Sequence, residues 1–445
     1  MDRSPKGLRL QRLRGALLHN SRWLIPGLGV KRWLGLVLLG TTLGGVGLAI
    51  LILDVYRTAP DTWWLPIISA ASLRFLPRLL RALIFACIGI GLIAGGIWGL
   101  NRALMAPFLR PGRRVVDALT VHRRRERGPR VVVIGGGHGL STLLRGMKAY
   151  THNISAIVTV ADDGGSSGRL RQTMGILPPG DIRNCLAALS NDEAMLTQLF
   201  QYRFPNGTSG LDGHSFGNLF ISALAEITGS FEEAVAESGR VLSVSGRVLP
   251  STLHDVRLVA DVTLPYLVNE VRVEGESQIP ESAGKVRRVW LEPNNPQAFP
   301  RAIQAILAAD LILIGPGSLY TSILPNLLVP DIASAIRSSR ALKIYVCNVA
   351  TQPGETDGYT CGDHVRAVEE HAGSDLFEIV VVNQSYEGQL PDNIQWVYAE
   401  DDLETDHAVY RTNLIDSARP WRHDSAKLAQ VLMDLLQERT GPLVE

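Results

Sequence analysis

Cysteine and charge are both scarce in this chain. Only four cysteines occur among 445 residues, at Cys87, Cys185, Cys347 and Cys361, and no two form a C-x-x-C pair. This argues against a disulfide scaffold and a cysteine zinc ribbon, and it fits a reducing compartment. Charged residues make up 20% and nearly cancel, giving a net charge of +1. The chain as a whole therefore lacks the electrostatic signature of a nucleic-acid-binding protein.

Charge is missing altogether from two long stretches near the amino terminus. Leu34–Leu53 and Ala82–Leu100 contain no Asp, Glu, Lys or Arg. Each has about the ~20 residues that a helix needs to cross the hydrocarbon of a bilayer. A signal peptide would have a shorter apolar core and then a cleavage site, and the uninterrupted lengths argue against a buried hairpin. We therefore predict a two-helix transmembrane hairpin over residues 33–101.

Basic residues flank this hairpin unevenly. Eight Lys and Arg precede residue 33 and nine lie between Arg102 and Arg130, against four in the loop from Asp54 to Arg81. Because basic loops stay on the cytoplasmic side, we expect a protein of the cell membrane with both termini cytoplasmic. The arginine run at residues 123–125 predicts contact with anionic lipid headgroups rather than nucleic acid, with a solvated linker as the alternative.

Beyond Gly128 the pattern changes to alternating apolar strands and helices, typical of an α/β fold. We predict strands at Arg130–Ile134, Ile154–Val160, Leu311–Ile314, Lys343–Cys347 and Glu378–Val382, and helices at Ser141–Tyr150, Phe216–Thr228, Phe231–Val241 and Gln297–Ala308. The alternation indicates a Rossmann-like, doubly wound, mostly parallel sheet, with room for antiparallel strands between Val241 and Trp290. The chain is thus divided into a basic amino terminus (1–32), the hairpin (33–101), a basic juxtamembrane linker (102–129) and a ligand-binding α/β domain (130–445).

The first predicted strand of this domain enters a glycine-rich turn, Gly135-Gly136-Gly137-His138-Gly139. Glycines let the backbone approach a ligand, and the amides that begin the following helix attract phosphate. Leu140 occupies the place of the third glycine of a dinucleotide fingerprint, and no P-loop lysine follows. The turn therefore predicts a nucleotide-phosphate site, with a merely tight strand-to-helix turn as the alternative. His138 is expected to hydrogen-bond a phosphate or the backbone.

The second predicted strand ends in an acidic loop, Asp162–Arg169. Mg²⁺ prefers one or two carboxylates completed by waters and substrate phosphates. We therefore predict that Asp162 and Asp163 bind Mg²⁺, with a solvated acidic turn as the alternative. The same loop supplies candidate donors for oxyanions: Gly164, Gly165, Ser166, Ser167 and Arg169.

Two helix starts that follow also carry polar candidates. Asp181 is a plausible helix N-cap, and Arg183 is either a phosphate clamp or a surface arginine. Asn218 belongs to the segment Gly-His-Ser-Phe-Gly-Asn, another polar helix start. His214 in that segment has no cysteine or histidine partner at zinc spacing, so metal binding there is not expected.

The second half of the domain repeats the scheme of strand, glycine loop and helix at Gly315-Pro316-Gly317-Ser318. Two glycine loops at the ends of different strands can flank one nucleotide. Glu355, in the segment Gln-Pro-Gly-Glu-Thr, is either a structural cap or a contact to an acceptor molecule. The residues alone do not separate these two roles.

Six motifs then occur in a fixed order: GGGHGLSTLLRGMK, TVADDGGSSGRLR, LPPGDIRNCLAAL, GHSFGNL, GPGSLYTSILPNLL and TQPGET. Together they resemble the gluconeogenesis-factor (YvcK-like) family, which is related to the 2-phospho-L-lactate transferase (CofD) of deazaflavin coenzyme synthesis. The resemblance runs from about Arg130 to Leu435. It is expected to leave the first 128 residues uncovered, because the common members of the family are soluble.

The resemblance implies a Rossmann-like fold that binds a nucleoside diphosphate compound. The transferase branch moves phospholactate from a guanosine diphosphate donor to a deazaflavin alcohol with Mg²⁺. The gluconeogenesis-factor branch resembles a UDP-sugar binder required for cell shape, and DDGGSSGRLR is its form of the motif. Carried to matching positions, the residues implied at the cleft are Gly135–Gly139, Asp162, Asp163, Ser166, Ser167, Arg169, Asn218, Gly315–Ser318 and Arg422, with Tyr398 a weaker candidate.

We therefore predict a membrane-anchored, UDP-sugar-binding regulator of cell shape and envelope synthesis. The alternative is a Mg²⁺-dependent phospholactate-type transferase, in which the groups neutralising the diphosphate would be Asp162 and Asp163 through the metal, Arg169 and Arg183. A scaffold protein without a ligand is a third reading. The expected partners are a UDP-sugar or other nucleoside diphosphate ligand and anionic lipids, without nucleic acid. Turnover, the general base and a homo-oligomeric state are left open by the sequence.

Overall fold

The structure is a computed structural model that describes residues 30–55, 73, 76–105, 128–190, 195–205, 207, 210–264, 269–282, 284–400, 403 and 407–440. The chain divides into two compact units, Met1–Thr120 and Val121–Glu445. Most of the loop predicted between the two spans, most of the basic amino terminus and most of the juxtamembrane linker lie outside the described residues.

The amino-terminal unit contains two long helices, α1 (Val30–Val55) and α2 (Arg78–Met105). They include both predicted spans. Among the described residues, the segment Leu79–Leu100 of α2 is long and apolar enough to cross a membrane, whereas α1 offers the shorter apolar segment Gly35–Ile50. The structure therefore has one candidate span by length and composition, and the predicted two-helix transmembrane hairpin is not confirmed.

The two helices contact each other through glycines. A Cβ atom placed on Gly40 would lie 3.0 Å from the carbonyl oxygen of Gly89, and one placed on Gly89 would lie 3.1 Å from the carbonyl oxygen of Gly40. Large apolar side chains point outward instead: Leu48, Leu83 and Ile90 are each more than 60% exposed. This arrangement is the reverse of an ordinary soluble hairpin, which buries its leucines.

A seven-stranded parallel sheet forms the second unit. Its strands are β1 (Val131–Gly135), β2 (Ile154–Val158), β3 (Arg247–Pro250), β7 (Leu311–Ile314), β8 (Leu342–Val346), β9 (Ile379–Asn383) and β10 (Ala408–Thr412), and a separate antiparallel sheet contains β4 (Arg257–Thr263), β5 (Val271–Glu274) and β6 (Lys285–Glu292). The large sheet has the order β10-β9-β8-β7-β1-β2-β3. The expected α/β fold with a Rossmann-like parallel sheet is confirmed, and the antiparallel strands fall within the less regular region.

The strands form where apolar β-branched residues can be covered on both faces. Every residue of β1, β2 and β7 is buried, as expected for the central strands of a parallel sheet. The predicted strands match the observed ones to within two residues at each end. The differences arise because some residues beyond the hydrogen-bonded strand, such as Val160, are still buried and apolar, so the sequence pattern does not distinguish them from strand residues.

Helices connect the parallel strands. They are α3 (Gly137–Met147), α4 (Gly165–Met174), α5 (Gly180–Leu189), α6 (Met195–Gln201), α7 (Phe216–Thr228), α8 (Phe231–Val241), α9 (Gln278–Glu281), α10 (Pro300–Leu307), a π-helical turn (Leu319–Ile323), α11 (Leu324–Leu327), α12 (Pro330–Ser338), α13 (Cys361–Ala372) and α14 (Ser425–Thr440). The predictions for α7 and α8 are confirmed. Helix α10 begins at Pro300 rather than Gln297, because proline fits the first helical position without losing a hydrogen bond.

The order of the strands places a crevice between β1 and β7. From β1 the chain continues to β2 and β3 on one side, and it later returns to β7, β8, β9 and β10 on the other. Loops that leave β1 and β7 therefore diverge at their carboxyl ends. In open parallel sheets this switch point is where ligands bind.

Candidate functional site

A cavity of about 550 Å³ lies at the switch point. We call it the strand-end cavity. Its lining comprises Gly137, His138, Gly139, Thr142, Asp162, Asp181, Asn184, Glu276, Pro316, Gly317, Ser318, Ser322, Asn348–Pro353, Ile394, Trp421, Arg422 and His423. Its volume is within the range of about 300–1,000 Å³ that is usual for small-molecule sites.

Two glycine loops meet at the centre of this cavity. A Cβ atom on Gly139 would lie only 2.6 Å from the carbonyl oxygen of Pro316, so a larger residue would push the loops apart. Asn348 fixes the second loop, because its side chain accepts from the amide of Gly317 at 3.2 Å and donates to the carbonyl of Gly317 at 2.8 Å. The loops predicted after β1 and β7 thus form one continuous backbone surface.

Helix α3 begins inside the first glycine loop. The sequence predicted its start at Ser141, but the helix starts at Gly137, whose φ of +63° suits glycine. The amides that face the cavity therefore belong to residues of the glycine loop itself and not to the segment that begins at Ser141. The amide of Gly137 donates to the carboxylate of Asp181. A helix start that accepts one carboxylate is a position suited to anions in general.

Asp181 is not the N-cap that the sequence predicted. Pro179 occupies the cap position, and Asp181 lies in the first turn of α5 with its side chain reaching toward α3. Burial, reinforced by the nearby charge of Asp162, raises the pKa of Asp181 to about 6. This carboxyl group therefore titrates close to neutral pH at the edge of the cavity.

Two further carboxyl groups line the same side. Asp162 accepts from the amide of Gly164 at 2.9 Å, and burial raises its pKa. Glu276 follows β5 of the small sheet, and burial together with the charges of Asp162 and Asp181 raises its pKa to about 8. Sequence reasoning did not find Glu276, because no motif surrounds it and only the packing of the small sheet brings it to the cavity.

Cationic and neutral donors gather on the other side of the glycine loops. His138 lines the cavity, and burial followed by the positive charges of Arg422 and Arg145 lowers its pKa. Arg422 is exposed at the mouth of the cavity. His423 is buried, and its Nε2 donates to the carbonyl oxygen of Cys347 at 3.2 Å. Burial lowers the pKa of His423 to about 4, so this ring is neutral at pH 7.

Asp163 does not join Asp162 at the cavity. Its carboxylate accepts from the amide of Ser277 at 2.9 Å and lies against Gly275, where a Cβ atom would come within 2.2 Å of it. Asp163 therefore connects the β2 loop to the small sheet. The structure brings Asp162 together with Asp181 and Glu276 instead of with Asp163.

The serine half of the acidic loop forms a buried hydrogen-bonded network that we call the serine cluster. Its members are Ser166, Ser167, Arg183, His214, Ser215 and Asn218. Ser166 Oγ lies 3.1 Å from both His214 Nδ1 and Asn218 Nδ2. Arg183 donates to Ser215 and Asn184, and burial lowers its pKa. Ser167 contacts Asp162 by a hydrogen bond. The cluster therefore supports the cavity wall from behind.

The predicted site residues thus fall into two groups. Eight of them line the cavity: Gly137, His138, Gly139, Asp162, Pro316, Gly317, Ser318 and Arg422. The others do not: Gly135, Gly136, Asp163, Gly164, Gly165, Ser166, Ser167, Arg169, Arg183, Asn218 and Gly315 lie beneath it or beside it. Arg169 bonds the carbonyl oxygen of Asp212 at 2.5 Å, and the weaker candidate Tyr398 is exposed away from the cavity lining.

Glu355 proves to be a structural cap. It is 3% exposed, and its carboxylate accepts from the Tyr320 amide at 3.1 Å and the Thr321 hydroxyl at 2.9 Å. Both donors begin the π-helical turn after the second glycine loop. Burial raises the pKa of Glu355 to about 7. Of the two roles that the sequence left open, the structure supports the cap.

The carboxylates fit a magnesium ion only in company with a phosphate-bearing ligand. Among the described residues, no three His, Cys, Asp or Glu side chains are arranged to hold a metal ion. Mg²⁺ needs fewer protein ligands, since waters and phosphates complete its shell. Asp162 and Asp181 approach each other across Gly180, where a Cβ atom would lie 2.8 Å from Asp162 Oδ2. These two residues are the ones placed to hold the ion.

Comparison with known proteins supports the family resemblance and extends it along the chain. The family model of the 2-phospho-L-lactate transferase CofD matches residues 131–440. A relative from Nostoc sp. is 54% identical over 372 residues, which cover 82% of this chain and 78% of the relative. A match of that extent must include part of the first 128 residues. The expectation that the resemblance leaves them uncovered is therefore wrong.

Two shorter relatives correspond to the α/β domain. The gluconeogenesis factor of Bacillus subtilis is 47% identical over 322 residues, covering 70% of this chain and 99% of that protein. A crystal structure of a UPF0052 family member from Bacillus halodurans is 42% identical, with a TM-score of 0.63, and covers 68% of this chain and 99% of that chain. In that relative the α/β domain constitutes the whole folded chain. On these similarities, the chain belongs to the CofD/UPF0052 family, together with the gluconeogenesis factor of Bacillus subtilis.

Proposed function

We propose that this protein is a membrane-anchored regulator of cell shape and envelope synthesis that binds a UDP-sugar in the strand-end cavity. The observation that carries the proposal is the pair of glycine loops meeting at Gly139 and Pro316 at the switch point of the sheet. That surface offers backbone amides to a diphosphate, and His138 and Arg422 stand beside it as further donors. The family relation to a gluconeogenesis factor supports the same reading.

Binding would use the two loops for the diphosphate. Glycines permit the approach of phosphate oxygens to main-chain amides, and the start of α3 adds the favourable end of a helix dipole. Arg422 would form a charge-assisted hydrogen bond to a phosphate oxygen. Mg²⁺, held by Asp162 and Asp181, would neutralise part of the charge of the diphosphate.

A second candidate function is transfer of a phosphoryl-linked group, and one observation favours it. The sequence offers no general base, but the structure places Asp181 at the cavity with a pKa of about 6. A base of that pKa can accept a proton near neutral pH. In this case Asp162 alone of the pair would hold Mg²⁺. An acceptor hydroxyl would attack the outer phosphorus, its proton would pass to Asp181, and a nucleoside monophosphate would leave. We rank this below binding because the motif DDGGSSGRLR takes the gluconeogenesis-factor form.

Anchoring in the membrane is the second part of the proposal. The helix pair buries glycines and exposes leucines and isoleucines, as helices do where lipid, rather than water, surrounds them. Small residues let two helix backbones approach closely when no hydrophobic effect drives them together. The basic flanks support a cytoplasmic location for both termini and contact with anionic headgroups.

Calorimetry on the full-length protein in detergent micelles tests the binding proposal. The ligands are UDP-N-acetylglucosamine, UDP-glucose, GDP and GMP, each with Mg²⁺ and with EDTA. We expect saturable binding of the UDP-sugars without product formation. Failure of all four nucleotides to bind would contradict the proposal. Release of GMP from a phospholactyl guanosine diphosphate donor in the presence of a deazaflavin alcohol would establish the transferase instead.

Reporter fusions test the anchor. A reporter that is active only in the cytoplasm should be active at both termini. A matched fusion in the loop between α1 and α2, at residue 60, should be inactive. A cytoplasmic signal from all three positions, or recovery of the full-length protein in the soluble fraction after lysis, would refute a membrane hairpin.

A further inference from the structure

A second cavity, of about 290 Å³, lies at the β3 edge of the large sheet. β3 is the last strand in the order of that sheet, and α8 and α10 pack against it. We call this space, which is lined by Val235 of α8, Leu249 of β3 and Phe299 before α10, the edge cavity. It shares no lining residue with the strand-end cavity, so it is a separate place for a ligand.

The free edge of β3 is poorly suited to pairing with another strand. On its inner side, the amide of Ser251 donates to the carbonyl oxygen of Val158 at 2.9 Å. Because amides alternate in direction along a strand, the backbone at Val248 and at Pro250 faces away from β2. Proline has no amide to donate, so an added strand would lose a hydrogen bond there. The edge cavity therefore suits a small molecule better than a second copy of the chain or an extended peptide.

A glycine inside α8 keeps the edge cavity open. Gly239 lies within the helix, where alanine is the more stabilising residue. Its φ is not positive, and a Cβ atom there would lie 3.7 Å from Leu186 and 3.9 Å from Val244, which are ordinary contacts. Neither backbone strain nor close packing therefore requires a glycine. Together with Ala236, which also lines the cavity, Gly239 leaves space that larger side chains would fill.

The middle of the edge cavity is apolar, and one end of it is electrically balanced. Val235, Leu249 and Phe299 form the apolar part and are buried. At the end beside Phe299, Glu232 and Arg301 line the cavity and form an ion pair at 3.0 Å. At about 30 Å³ for each non-hydrogen atom, near the volume of one water molecule, the cavity holds about ten such atoms. That is the size of a phenyl ring with a short side chain.

The opposite end, where β3 begins, has an excess of positive charge. Arg240 and Arg247 line it. Glu237 forms an ion pair with Arg240. Arg247 donates from Nε to Ser155 Oγ at 3.0 Å, and it has no carboxylate partner in the part of the chain that the structure describes. That hydrogen bond positions the guanidinium and leaves its remaining N–H groups for a ligand, and a carboxylate matches their planar geometry.

We propose that the edge cavity is a second binding site, for a small amphipathic carboxylate of about ten non-hydrogen atoms. The apolar part of the ligand lies among Val235, Leu249 and Phe299, where it leaves water. Its carboxylate accepts hydrogen bonds from Arg247. A neutral molecule of the same shape gains only from the apolar part. The site does not depend on the ligand of the strand-end cavity.

Two ligands of the same shape test the class of ligand: phenylpropionate and its neutral amide, phenylpropionamide. Calorimetry is carried out on the wild-type full-length protein in detergent micelles. We expect saturable binding of phenylpropionate with a Kd of about 1 mM or below, and binding of the amide that is at least about fivefold weaker. Equal affinity for both ligands would overturn the carboxylate. Saturable binding of neither would overturn the site.

The location is tested with Gly239→Leu and its control, Gly239→Ala. The leucine side chain would fill the cavity, so saturable binding of phenylpropionate should disappear and only uptake by the micelles, which does not saturate, should remain. Gly239→Ala adds a single methyl group and should keep most of the affinity. Thermal unfolding shows whether each variant is folded. Unchanged affinity in a folded Gly239→Leu would place the ligand elsewhere and overturn the proposal.

The charged end is tested with Arg247→Gln, which leaves the apolar walls intact. The preference for phenylpropionate over the amide should fall to within about twofold, while the affinity for the amide stays the same. The matched control is Arg340→Gln, which removes an exposed arginine outside the cavity lining and should leave the preference unchanged. A preference that persisted in Arg247→Gln would remove Arg247 from the site.

Competition separates the two cavities. Saturating UDP-glucose should not displace phenylpropionate from the wild type, because the cavities share no lining residue. Displacement in proportion to the UDP-glucose bound would place the carboxylate in the strand-end cavity and overturn the proposal. If UDP-glucose itself does not bind, the proposed function is lost, and the comparison of the two phenylpropionyl ligands still decides the edge cavity.

Discussion

The strand-end cavity and the serine cluster lie side by side and are built from the same kinds of residue, yet their polar groups have different partners. In the cavity, His138 and Arg422 face open space beside the glycine loops. In the cluster, Ser166, Arg183 and Asn218 bond to one another or to neighbouring side chains. The cavity side chains are available to bind a ligand, whereas the side chains of the serine cluster stabilise the fold.

This difference means that two neighbouring residues of one loop can have unrelated roles. Asp162 faces the cavity, while Asp163 accepts from Ser277 in the small sheet. Substitutions on the cavity side should change ligand affinity and, except at the buried Asp181, leave unfolding largely as it is. Substitutions in the cluster should do the opposite. The predictions below test that separation, from the largest effect to the smallest.

Arg422→Ala should produce the largest change in affinity. A charge-assisted hydrogen bond contributes about 1.5–3 kcal/mol, so UDP-sugar binding should weaken by about 10- to 150-fold. Because Arg422 is exposed, the midpoint of thermal unfolding should stay the same. The matched control is Arg169→Ala, which removes another exposed guanidinium, one that donates to the carbonyl oxygen of Asp212. Calorimetry showing the same loss in both variants would place the two arginines in one site and remove the distinction.

Asn218→Ala should lower the stability of the domain and spare ligand affinity, which is the reverse of the effect of Arg422→Ala. Asn218 is 2% exposed and donates to Ser166 and Ser167, so its loss leaves both hydroxyls without that donor. Urea unfolding should show a loss of about 1–3 kcal/mol in the free energy of unfolding of the domain. The affinity for a UDP-sugar should remain within about twofold. A large loss of affinity in a stable variant would show that Asn218 contacts the ligand.

Asp181→Asn should stabilise the domain at high pH and not at low pH. Burial holds the pKa of Asp181 at about 6 in the folded protein, against 3.8 when unfolded. The charged form is therefore unfavourable in the fold, and stability is lost as the pH rises from about 4 through 6. Above pH 7 the variant should gain about 1–2 kcal/mol in the free energy of unfolding, less than the full pKa shift implies, because the asparagine of the variant would accept a weaker hydrogen bond from the Gly137 amide than the carboxylate does. Unfolding at pH 4 should show no gain, and an equal gain at both pH values would point to a cause other than charge.

Asp162→Asn and Asp163→Asn should differ in their response to Mg²⁺. Both changes keep the shape of the side chain and remove its charge. The part of UDP-sugar affinity that depends on Mg²⁺ should disappear in Asp162→Asn and persist in Asp163→Asn. The latter should lose about 1 kcal/mol of stability, because its hydrogen bond to the Ser277 amide becomes neutral. Titrations with Mg²⁺ and with EDTA that gave the reverse result would restore Asp163 as the metal ligand.

Local patterns in the sequence were enough to find the sheet and the centre of the site. The run Val131–Ile134 is apolar and β-branched, which predicts a buried strand. The glycines that follow it are therefore at the end of that strand, where ligands bind, so the same pattern predicts both the strand and the site. The direction in which a loop side chain points, by contrast, depends on residues that are distant in the sequence. Asp163 turns away because Ser277 supplies a donor, and that residue is more than a hundred positions distant.

Residues supplied by tertiary packing escaped prediction for the same reason. Glu276 has no motif around it, and it reaches the cavity only because the small antiparallel sheet packs there. Trp421 and Ile394 are single apolar residues in irregular segments, which carry no periodic signal. In the amino-terminal unit, hydropathy located both helices, but it could not show that glycines rather than leucines form their contact.

The assembly of the cavity from both ends of the domain has a consequence for protein synthesis. The first glycine loop follows the first strand, whereas Trp421 and Arg422 come just before the last helix. That helix packs directly on α3, where a Cβ atom on Gly146 would lie within 2.0 Å of the Ser425 carbonyl oxygen. A ribosome delivers the amino-terminal part first. A nascent or prematurely ended chain that stops before residue 421 would therefore lack one wall of the site, so that only a finished domain could take up ligand.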